Sequence, residues 1–438
     1  MALSTNKVGK VFVHFVRNYS AETTKHYKVV VAGGGSGGLS IGARACRQFG
    51  VGNVAIIEPA KVHYYQPMWT LVGAGVKTLS QSGVPTQEAL PRGCKHYNQY
   101  LQEFDPERNT VTLKNGEKLS YDYLVVALGI QIDLKKVEGL EEALKNDKNV
   151  CTNYLREYVE KTFPAIQDFR GGNAIFTFPN TPIKCAGAPQ KIMYLAEDYW
   201  KKHGVKDKTK ILYNTALGVI FGVPRYAESL MKVVERKGII LNKRQSLKAV
   251  DHAKKTATFD LLDSEKGETQ TYHYDFLHVG PPQSGPDVLK NSSVPIVDAT
   301  GFLDVDKNTC QHVKFPNIFG IGDCTNIPAA KTAAAVAACS GHLWRGIKDM
   351  EAGKKPSGTY NGYSSCPLIT DYHHCILAEF GFDGQIYETF PLDQSKERRT
   401  MYHLKRDVMP QIYWHMFLKG YWNGPGTYRK IMHLGMCC

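Results

Sequence analysis

The 438-residue sequence lacks several features that mark common classes of protein. No C-x-x-C pair occurs among its eleven cysteines, which argues against a disulfide framework and predicts reduced thiols. No apolar run approaches the ~18–20 residues of a membrane-spanning helix. Basic residues outnumber acidic ones by 54 to 41, giving a net charge of +13, yet they form no long tract. Because no helix-turn-helix, zinc-finger or RRM pattern accompanies them, we predict no nucleic-acid partner, and an anionic membrane or an acidic substrate fits the charge better.

The first twenty residues contain no acidic side chain, and the first carboxylate of the chain is Glu22. In a helix, their basic and apolar residues separate onto two sides: Lys10, His14 and Arg17 opposite Val8, Val11, Phe12 and Phe15. This character is typical of a mitochondrial transit peptide rather than a secretory signal, which has a continuous apolar centre. Residues 17–20 (Arg-Asn-Tyr-Ser) also resemble a matrix-processing site. We predict a transit peptide at residues 1–19, with a disordered arm as the alternative.

A glycine-rich turn follows the first apolar run of the chain, at residues 27–32. It places Gly33, Gly35 and Gly38 in the G-x-G-x-x-G positions and leads into a predicted helix. The next apolar run ends at Glu58, twenty residues after the last glycine. Glycines at this spacing allow backbone amides and a helix N-terminus to meet a pyrophosphate, and a terminal acid accepts hydrogen bonds from a ribose hydroxyl. The pattern predicts a dinucleotide-binding βαβ unit.

Two distant strand patterns indicate which dinucleotide is bound. Residues 123–129 are apolar and end in glycine, and residues 317–323 repeat this pattern and end in Gly322 and Asp323. Both resemble the later fingerprints of flavoproteins with two dinucleotide-binding domains, whose Gly-Asp pair holds the ribityl and phosphate region of FAD. The alanine-rich helix after Lys331 allows close approach to a flavin, and its N-terminal dipole favours negative charge on a reduced flavin. We therefore predict FAD, against the alternative of a plain turn and a packing helix.

The second dinucleotide domain of such flavoproteins is expected at residues 151–290, but its glycine turn is missing. The strand predicted at residues 173–178 is followed by a proline-flanked segment that contains Lys184 and Cys185. A pyrophosphate needs glycines for close backbone approach, so this domain is predicted to keep the fold and to lack NAD(P)H. A helix N-terminus and a neighbouring ammonium both favour the thiolate form of Cys185, which makes it a candidate reactive residue. We interpret six other cysteines as buried and inert: Cys46, Cys94, Cys151, Cys310, Cys324 and Cys339.

Taken together, these segments resemble the mitochondrial sulfide:quinone oxidoreductase family over nearly the whole chain. The most specific similarities are the Lys-Cys-Ala-Gly-Ala-Pro run at Cys185 and the Ser-Cys-Pro-Leu run at Cys366, and the others lie at residues 33–38, 65–75 and 319–323. The resemblance implies a resting bridge between Cys185 and Cys366 that hydrosulfide attacks, leaving a persulfide on Cys185. The Cys366 thiolate would then pass electrons to FAD at its C4a atom, and reduced FAD would reduce ubiquinone. Glutathione, sulfite or another small nucleophile would remove the sulfane sulfur.

The same resemblance, together with the glycine fingerprints, assigns residues to the flavin. They are Gly33, Gly35, Ser36, Gly37, Gly38, Glu58, Gln66, the Leu101 backbone, Gly129, Gly322, Asp323 and Lys331. No metal site is predicted, because Cys366, His373, His374 and Cys375 match no closed zinc pattern.

The predicted fold class is α/β, with two Rossmann-like domains and C-terminal helices that contact a membrane. The predicted parts are the FAD-binding domain (27–150 and 291–350), the second domain (151–290) and a C-terminal region (351–438). In the last region, two short apolar helices with aromatic and basic residues, at about 410–420 and 427–435, predict a monotopic anchor on the matrix side of the inner mitochondrial membrane. Closure of the protein's own core or of a dimer interface is the alternative.

Three other functions share parts of this pattern. A type II NADH:quinone oxidoreductase has the same fold but needs a second glycine turn. A non-catalytic flavoprotein would use the basic surface without needing Cys185. A flavocytochrome-type sulfide dehydrogenase passes electrons to a haem subunit and is usually exported, which the predicted transit peptide contradicts.

Overall fold

The computed structural model describes residues 24–436. The predicted transit peptide and the terminal Cys437-Cys438 pair lie outside the described residues. The strands, in chain order, are β1 (Lys25–Ala32), β2 (Val54–Ile57), β3 (Val62–Tyr64), β4 (Gly83–Pro85), β5 (Lys95–Tyr97), β6 (Leu101–Asp105), β7 (Thr110–Leu113), β8 (Lys118–Val126), β9 (Gln131–Ile132), β10 (Val150–Cys151), β11 (Gly172–Phe178), β12 (Thr209–Thr215), β13 (Ile240–Lys243), β14 (Gln245–Asp251), β15 (Thr256–Leu261), β16 (Thr269–His273), β17 (Phe276–His278), β18 (Gln283–Ser284), β19 (Ile318–Gly320), β20 (Ser364–Ile369) and β21 (Cys375–Phe380).

The helices, in chain order, are α1 (Ser36–Phe49), α2 (Trp69–Val72), α3 (Thr86–Ala89), α4 (Leu140–Asn146), α5 (Arg156–Asp168), α6 (Ala188–Lys202), α7 (Pro224–Arg236), α8 (Asp287–Lys290), α9 (Ala333–Glu351), α10 (Arg399–His403), α11 (Met409–Ile412) and α12 (Gly426–Met432). Two π-helical turns, Leu404–Val408 and Tyr413–Phe417, follow α10 and α11, so that residues 399–417 form one continuous helical segment.

The first sheet is the predicted dinucleotide-binding unit. Its strands β5, β2, β1 and β8 lie in parallel, β19 joins β8 in parallel, and the β6–β7 hairpin continues the sheet on the other part of β8. The β-branched residues of β1 and β2 are buried, as is expected for a parallel sheet covered on both faces. Because β19 returns to β8, residues from both predicted parts of the FAD-binding domain share one sheet.

The second sheet has the order β10-β17-β11-β12-β13, and its strands are parallel. The antiparallel strands β14, β15 and β16 form a separate sheet beside it. Helix α6 follows β11 and buries Ile192, Leu195 and Trp200 in the core of this unit. The structure therefore confirms the α/β fold with two Rossmann-like units, while the exact domain boundaries stay a prediction.

The C-terminal region joins both units. The β20–β21 hairpin packs in the core of the second unit, whereas Tyr413, Phe417 and Leu418 are buried in the core of the first. The buried side chains of this first C-terminal helix close the protein's own core, as the alternative interpretation expects, while contact of its remaining face with a membrane stays a prediction. The same apolar spacing produces both results, because a core and a bilayer bury the same kind of helix face.

Helix α12 differs from the preceding segment because its apolar residues are exposed. Ile431 is 64% exposed and Leu434, just after the helix, is 82% exposed. The helix begins at Gly426, close to the predicted start, with Pro425 at its N-cap. Within residues 24–436, the helices are too short or too polar to cross a bilayer.

Candidate active site

The glycine turn between β1 and α1 is shaped so tightly that two of its positions exclude any side chain. Gly33 has φ +103°, and a Cβ added there would lie 2.4 Å from the Ala127 carbonyl oxygen at the end of β8. A Cβ at Gly38 would lie 1.9 Å from the Gly33 carbonyl oxygen. Gly35, with extended backbone, is the N-cap of α1, so the first amides of α1 point out of the turn. This is the cradle that a pyrophosphate requires.

Glu58 lies directly against this turn. One carboxylate oxygen accepts a 2.7 Å hydrogen bond from the Gly34 amide, and the other accepts a 2.7 Å bond from the Ala60 amide. The carboxylate of Glu58, which is predicted to bind the ribose, is thus held at the glycine turn by the backbone amides of Gly34 and Ala60.

The segment at residues 317–323, which ends in Gly322 and Asp323, contacts the glycine turn at the N-terminus of α1. A Cβ at Gly37 would lie 2.9 Å from the Ile321 side chain and 3.1 Å from that of Val336 in α9. The Lys331 ammonium donates to the Asp323 carbonyl oxygen at 2.8 Å and to the Thr325 carbonyl oxygen at 3.0 Å, which fixes the loop before α9. Burial raises the pKa of the Asp323 carboxyl, opposed by the positive charges of Lys331 and Lys184.

The remaining predicted flavin residues occupy two different places. Gly129 (φ +72°) follows β8 and Gly322 (φ +83°) follows β19, at the carboxyl ends of neighbouring parallel strands. Gln66 lies toward the cysteine region, where its side-chain oxygen accepts a 2.8 Å hydrogen bond from the Lys184 ammonium. Leu101 opens β6, four residues after Tyr97, whose carbonyl oxygen accepts a 2.9 Å hydrogen bond from the Glu58 amide. No cluster of metal-ligating side chains occurs in the part of the chain that the structure describes, residues 24–436.

Cys185 lies in the turn after β11, immediately before α6. Its φ of +53° is unusual for a residue with a side chain, and the strained backbone is held by its neighbours. The Cys185 amide donates to the Lys331 carbonyl oxygen at 2.8 Å, and its carbonyl accepts a 3.2 Å hydrogen bond from the Tyr154 hydroxyl. The turn that replaces the second glycine fingerprint is therefore bonded directly to the flavin fingerprint of the first unit.

Cys366 lies in β20 and faces the same turn. The structure has both cysteines as free thiols, and their interaction holds the pKa of Cys185 well below its ordinary value and raises that of Cys366 well above it. Gly187 permits the approach, because a Cβ there would lie 2.6 Å from the Cys366 sulfur. The cysteines are therefore adjacent as predicted, while a resting bridge between them stays a prediction.

Two buried lysines surround this pair. The Lys191 ammonium donates to the Cys185 sulfur at 3.1 Å, and the residue is 2% exposed. Lys405, in the first π turn, is 3% exposed and donates to the Pro67 carbonyl oxygen at 2.8 Å. Burial, together with the positive charge of Lys191, lowers the pKa of Lys405 to about 8. The cation that contacts Cys185 is therefore Lys191 and not Lys184, the neighbour that sequence reasoning identified.

The sequence carried little signal for these two lysines. Lys191 lies inside α6, where a lysine ordinarily points to solvent, and Lys405 is 220 residues from Cys185, just before the first predicted C-terminal helix. Their role follows from the fold, which turns both inward at one place. Buried and close to sulfur, two cations create a site that favours anionic sulfur species.

Comparisons with known proteins agree with this arrangement. Residues 27–161 match the pyridine nucleotide-disulphide oxidoreductase family. The chain is 49% identical to the mitochondrial sulfide:quinone oxidoreductase of Mus musculus, over 100% of this chain and 96% of that protein. It is 41% identical to the corresponding Dictyostelium discoideum protein, over 91% and 88%.

A solved structure gives the fold independently. The sulfide:quinone oxidoreductase of Aquifex aeolicus superposes with a TM-score of 0.77 at 19% identity, covering 94% of this chain and 96% of that one. From its similarity to the mouse and Dictyostelium proteins over nearly their full length, the chain belongs to the mitochondrial sulfide:quinone oxidoreductase family.

Proposed function

We propose that this protein is a mitochondrial flavoenzyme that oxidises sulfide and reduces a quinone, with Cys185 and Cys366 as its sulfur-reactive pair and FAD as its cofactor. The observation that carries the proposal is the contact between Cys185 and Cys366, flanked by two buried lysines and bonded through Lys331 to the flavin fingerprint. The proline-flanked turn that carries Cys185 replaces the glycine turn that NADH would need.

The sulfur chemistry begins from the oxidised pair. Hydrosulfide attacks the Cys185 sulfur, the sulfur–sulfur bond breaks, and Cys366 leaves as a thiolate, so that one negative charge enters and one remains. A small thiol or sulfite then removes the outer sulfur of the Cys185 persulfide. With a thiol RSH as acceptor, hydrogen sulfide, the thiol and the quinone together give the persulfide RSSH and the quinol. Glutathione and sulfite both fit the acceptor, since each is a small nucleophile.

The lysines act on the charge that this step moves. Lys191 lies 3.1 Å from the Cys185 sulfur, where its positive charge draws in hydrosulfide and then stabilises the negative charge that the attack leaves on the pair. Lys405 adds a second positive charge to the same buried region, where a low dielectric strengthens attraction. The two lysines thus place positive charge where hydrosulfide enters and where the thiolate is left.

FAD supplies the two-electron acceptor between sulfur and quinone when it is bound. The close-packed Gly33 turn, Glu58 and the amides that open α1 would hold its diphosphate and ribose, and Asp323, on the loop that Lys331 fixes, would hold its ribityl region. This chain's own contribution is to bind the cofactor and to keep the turn at Cys185 hydrogen-bonded to Lys331, a residue of the predicted flavin site.

The function is tested by mixing purified protein with sulfide, a short-chain quinone and a panel of thiol and sulfite acceptors. We expect sulfide-dependent quinone reduction that Cys185→Ser and Cys366→Ser each abolish, and that Cys94→Ser, a half-buried cysteine in the first unit, leaves intact. Retained activity in Cys185→Ser contradicts the proposal. Reduction of the flavin by NADH would favour the NADH:quinone alternative instead.

We also infer that the exposed apolar residues after Pro425 rest on the inner mitochondrial membrane, on its matrix side, where ubiquinone is found. This placement follows from the exposed Ile431 and Leu434, beside the exposed Lys430, in a chain of net charge +13.

The membrane contact is tested by sedimentation with liposomes that contain an anionic lipid. Ile431→Glu combined with Leu434→Glu should release the protein from the liposomes and slow reduction of a long-tailed quinone, while sulfide still reduces the flavin. Val313→Glu serves as the control, because Val313 is 54% exposed on another part of the surface. Unchanged sedimentation of the double variant contradicts the membrane contact.

A further inference from the structure

Tyr413, from the second π turn of the C-terminal segment, lies at the glycine turn, where it contacts Ser36 across 377 residues of sequence. Its hydroxyl is 2.8 Å from the Ser36 hydroxyl and 2.7 Å from Nε2 of His63, and Nδ1 of His63 is 3.2 Å from the Gly34 carbonyl oxygen. Tyr413 is 3% exposed, and its ring centre lies 4.4 Å from that of Tyr65. Turns of this π type are frequent at functional sites.

The chemistry of these groups gives the chain of hydrogen bonds one direction. Burial lowers the pKa of His63 to about 4, so the imidazole is neutral and carries one proton. The Gly34 carbonyl only accepts, so that proton is on Nδ1, and Nε2 is an acceptor. The Tyr413 hydroxyl therefore donates to His63, and its oxygen accepts from the Ser36 hydroxyl. Both ends of the glycine turn, Gly34 and Ser36, are thus connected through Tyr413.

Further contacts extend this connection along α1. The Arg44 guanidinium donates to the Asn423 side chain at 2.6 Å, and that of Arg47 donates to the Lys419 carbonyl oxygen at 2.7 Å. Gly420 has φ +73°, and a Cβ there would lie 2.9 Å from the Ser40 carbonyl oxygen. Residues 413–423 therefore contact α1 at each of its turns, from its first residue to its last turn.

We propose that residues 413–423 form a clamp on the phosphate-binding helix, and that Tyr413 is a positioning residue whose hydrogen bonds set how tightly the protein retains FAD. The clamp acts through α1 and not on the reacting cysteines. It holds Ser36 and the first amides of α1 in the geometry that a diphosphate needs, so that cofactor binding requires no ordering of the turn. The identity of the cofactor rests on the proposed function.

The test compares FAD affinity in full-length variants. Apoprotein is prepared, FAD is titrated back, and quenching of flavin fluorescence gives the dissociation constant. Tyr413→Phe keeps the ring against Tyr65 and removes only the hydroxyl, which leaves His63 and Ser36 each without a partner. We expect FAD to bind roughly 10-fold more weakly, as for one lost hydrogen bond. Tyr428→Phe, at a tyrosine that is 48% exposed in α12, should bind FAD as the wild type does.

A second comparison separates positioning from general stability. Ser36→Ala should also weaken FAD binding, and adding Tyr413→Phe to it should weaken binding little further, because both act through one bond. Asn423→Ala tests the clamp at a second place, because it removes the hydrogen bond from Arg44. It too should weaken FAD binding, and it replaces Tyr413→Phe if that variant fails to fold.

The possible results have distinct meanings. Tyr413→Phe and Asn423→Ala that bind FAD with wild-type affinity overturn the clamp, even where the melting temperature of the apoprotein falls. Fully additive effects of Ser36→Ala and Tyr413→Phe overturn the role of their shared bond. A wild-type protein that binds no FAD overturns the proposed cofactor, and with it the clamp.

Discussion

Gly187→Ala tests whether the approach of the two cysteines decides activity. The added Cβ would lie 2.6 Å from the Cys366 sulfur and 2.6 Å from Cδ2 of Leu368. Non-bonded heavy atoms rest about 3.5–4.0 Å apart, so the sulfur must retreat by about 1 Å. The backbone of Gly187, with φ −84°, accepts alanine without strain, and the effect is therefore purely steric.

Cys366 has little freedom to absorb this displacement. It lies in the middle of β20, paired with Ala378 of β21, and it is 3% exposed. A disulfide bond is ~2.05 Å long with restricted torsion angles, so a shift of about 1 Å prevents its closure. We expect sulfide-dependent flavin reduction to fall by about 100-fold, as is typical for a 1 Å misplacement, with an overpacking cost of about 1–3 kcal/mol in the free energy of unfolding.

The assay is stopped-flow reduction of the bound flavin by sulfide, together with mass spectrometry of the alkylated peptides that contain Cys185 and Cys366. Gly222→Ala is the matched control, because within the described chain a Cβ there meets nothing closer than 4 Å. Gly187→Ala with a wild-type rate and an intact bridge would refute the reasoning, since the sulfur would then have tolerated the clash.

Three further predictions concern charge. Lys191→Met should slow flavin reduction by sulfide by roughly 100-fold, because it removes the ammonium that donates to the Cys185 sulfur. In the same stopped-flow assay, Lys191→Arg should restore part of the rate. An unchanged rate in Lys191→Met would contradict this role. The wild-type rate of flavin reduction, divided by the concentration of hydrosulfide, should decline as pH rises through about 8, because Lys405, with its lowered pKa, loses its positive charge there. Lys405→Met should show no such decline. A decline that persists in Lys405→Met would mean that another group causes it. Glu58→Ala should weaken FAD binding by ~1.5–3 kcal/mol, or roughly 10- to 100-fold in the dissociation constant; unchanged flavin occupancy after dialysis would contradict the placement of the ribose.

The sequence predicts well those parts of the site that are set by local rules. The turn from Gly33 to Gly38 and the acid at Glu58 follow from a spacing that only one local geometry satisfies, and the strands around them agree with the predicted ones. The adjacency of Cys185 and Cys366 was also predicted, although only through a family resemblance, since 181 residues separate them.

The parts that the sequence did not predict depend on long-range packing. The inward direction of Lys191 is a matter of how α6 is rotated against the second sheet, which a residue pattern does not record. Tyr413 was assigned to a membrane-facing helix because apolar periodicity is the same for a core and for a bilayer. Its hydroxyl has polar partners inside the protein, Ser36 and His63, which the apolar pattern does not record.

The backbone bond between Cys185 and Lys331 has a consequence for how the enzyme moves. The amide nitrogen of Cys185 and the carbonyl oxygen of Lys331 are 2.8 Å apart. The segment that carries the reactive sulfur is thus hydrogen-bonded to the segment that precedes α9 in the predicted flavin site. We therefore expect turnover to need no hinge motion between these two regions. Thickening the solvent with sucrose should slow it no more than it slows diffusion, unlike enzymes whose cycle waits for a lid or a hinge to close.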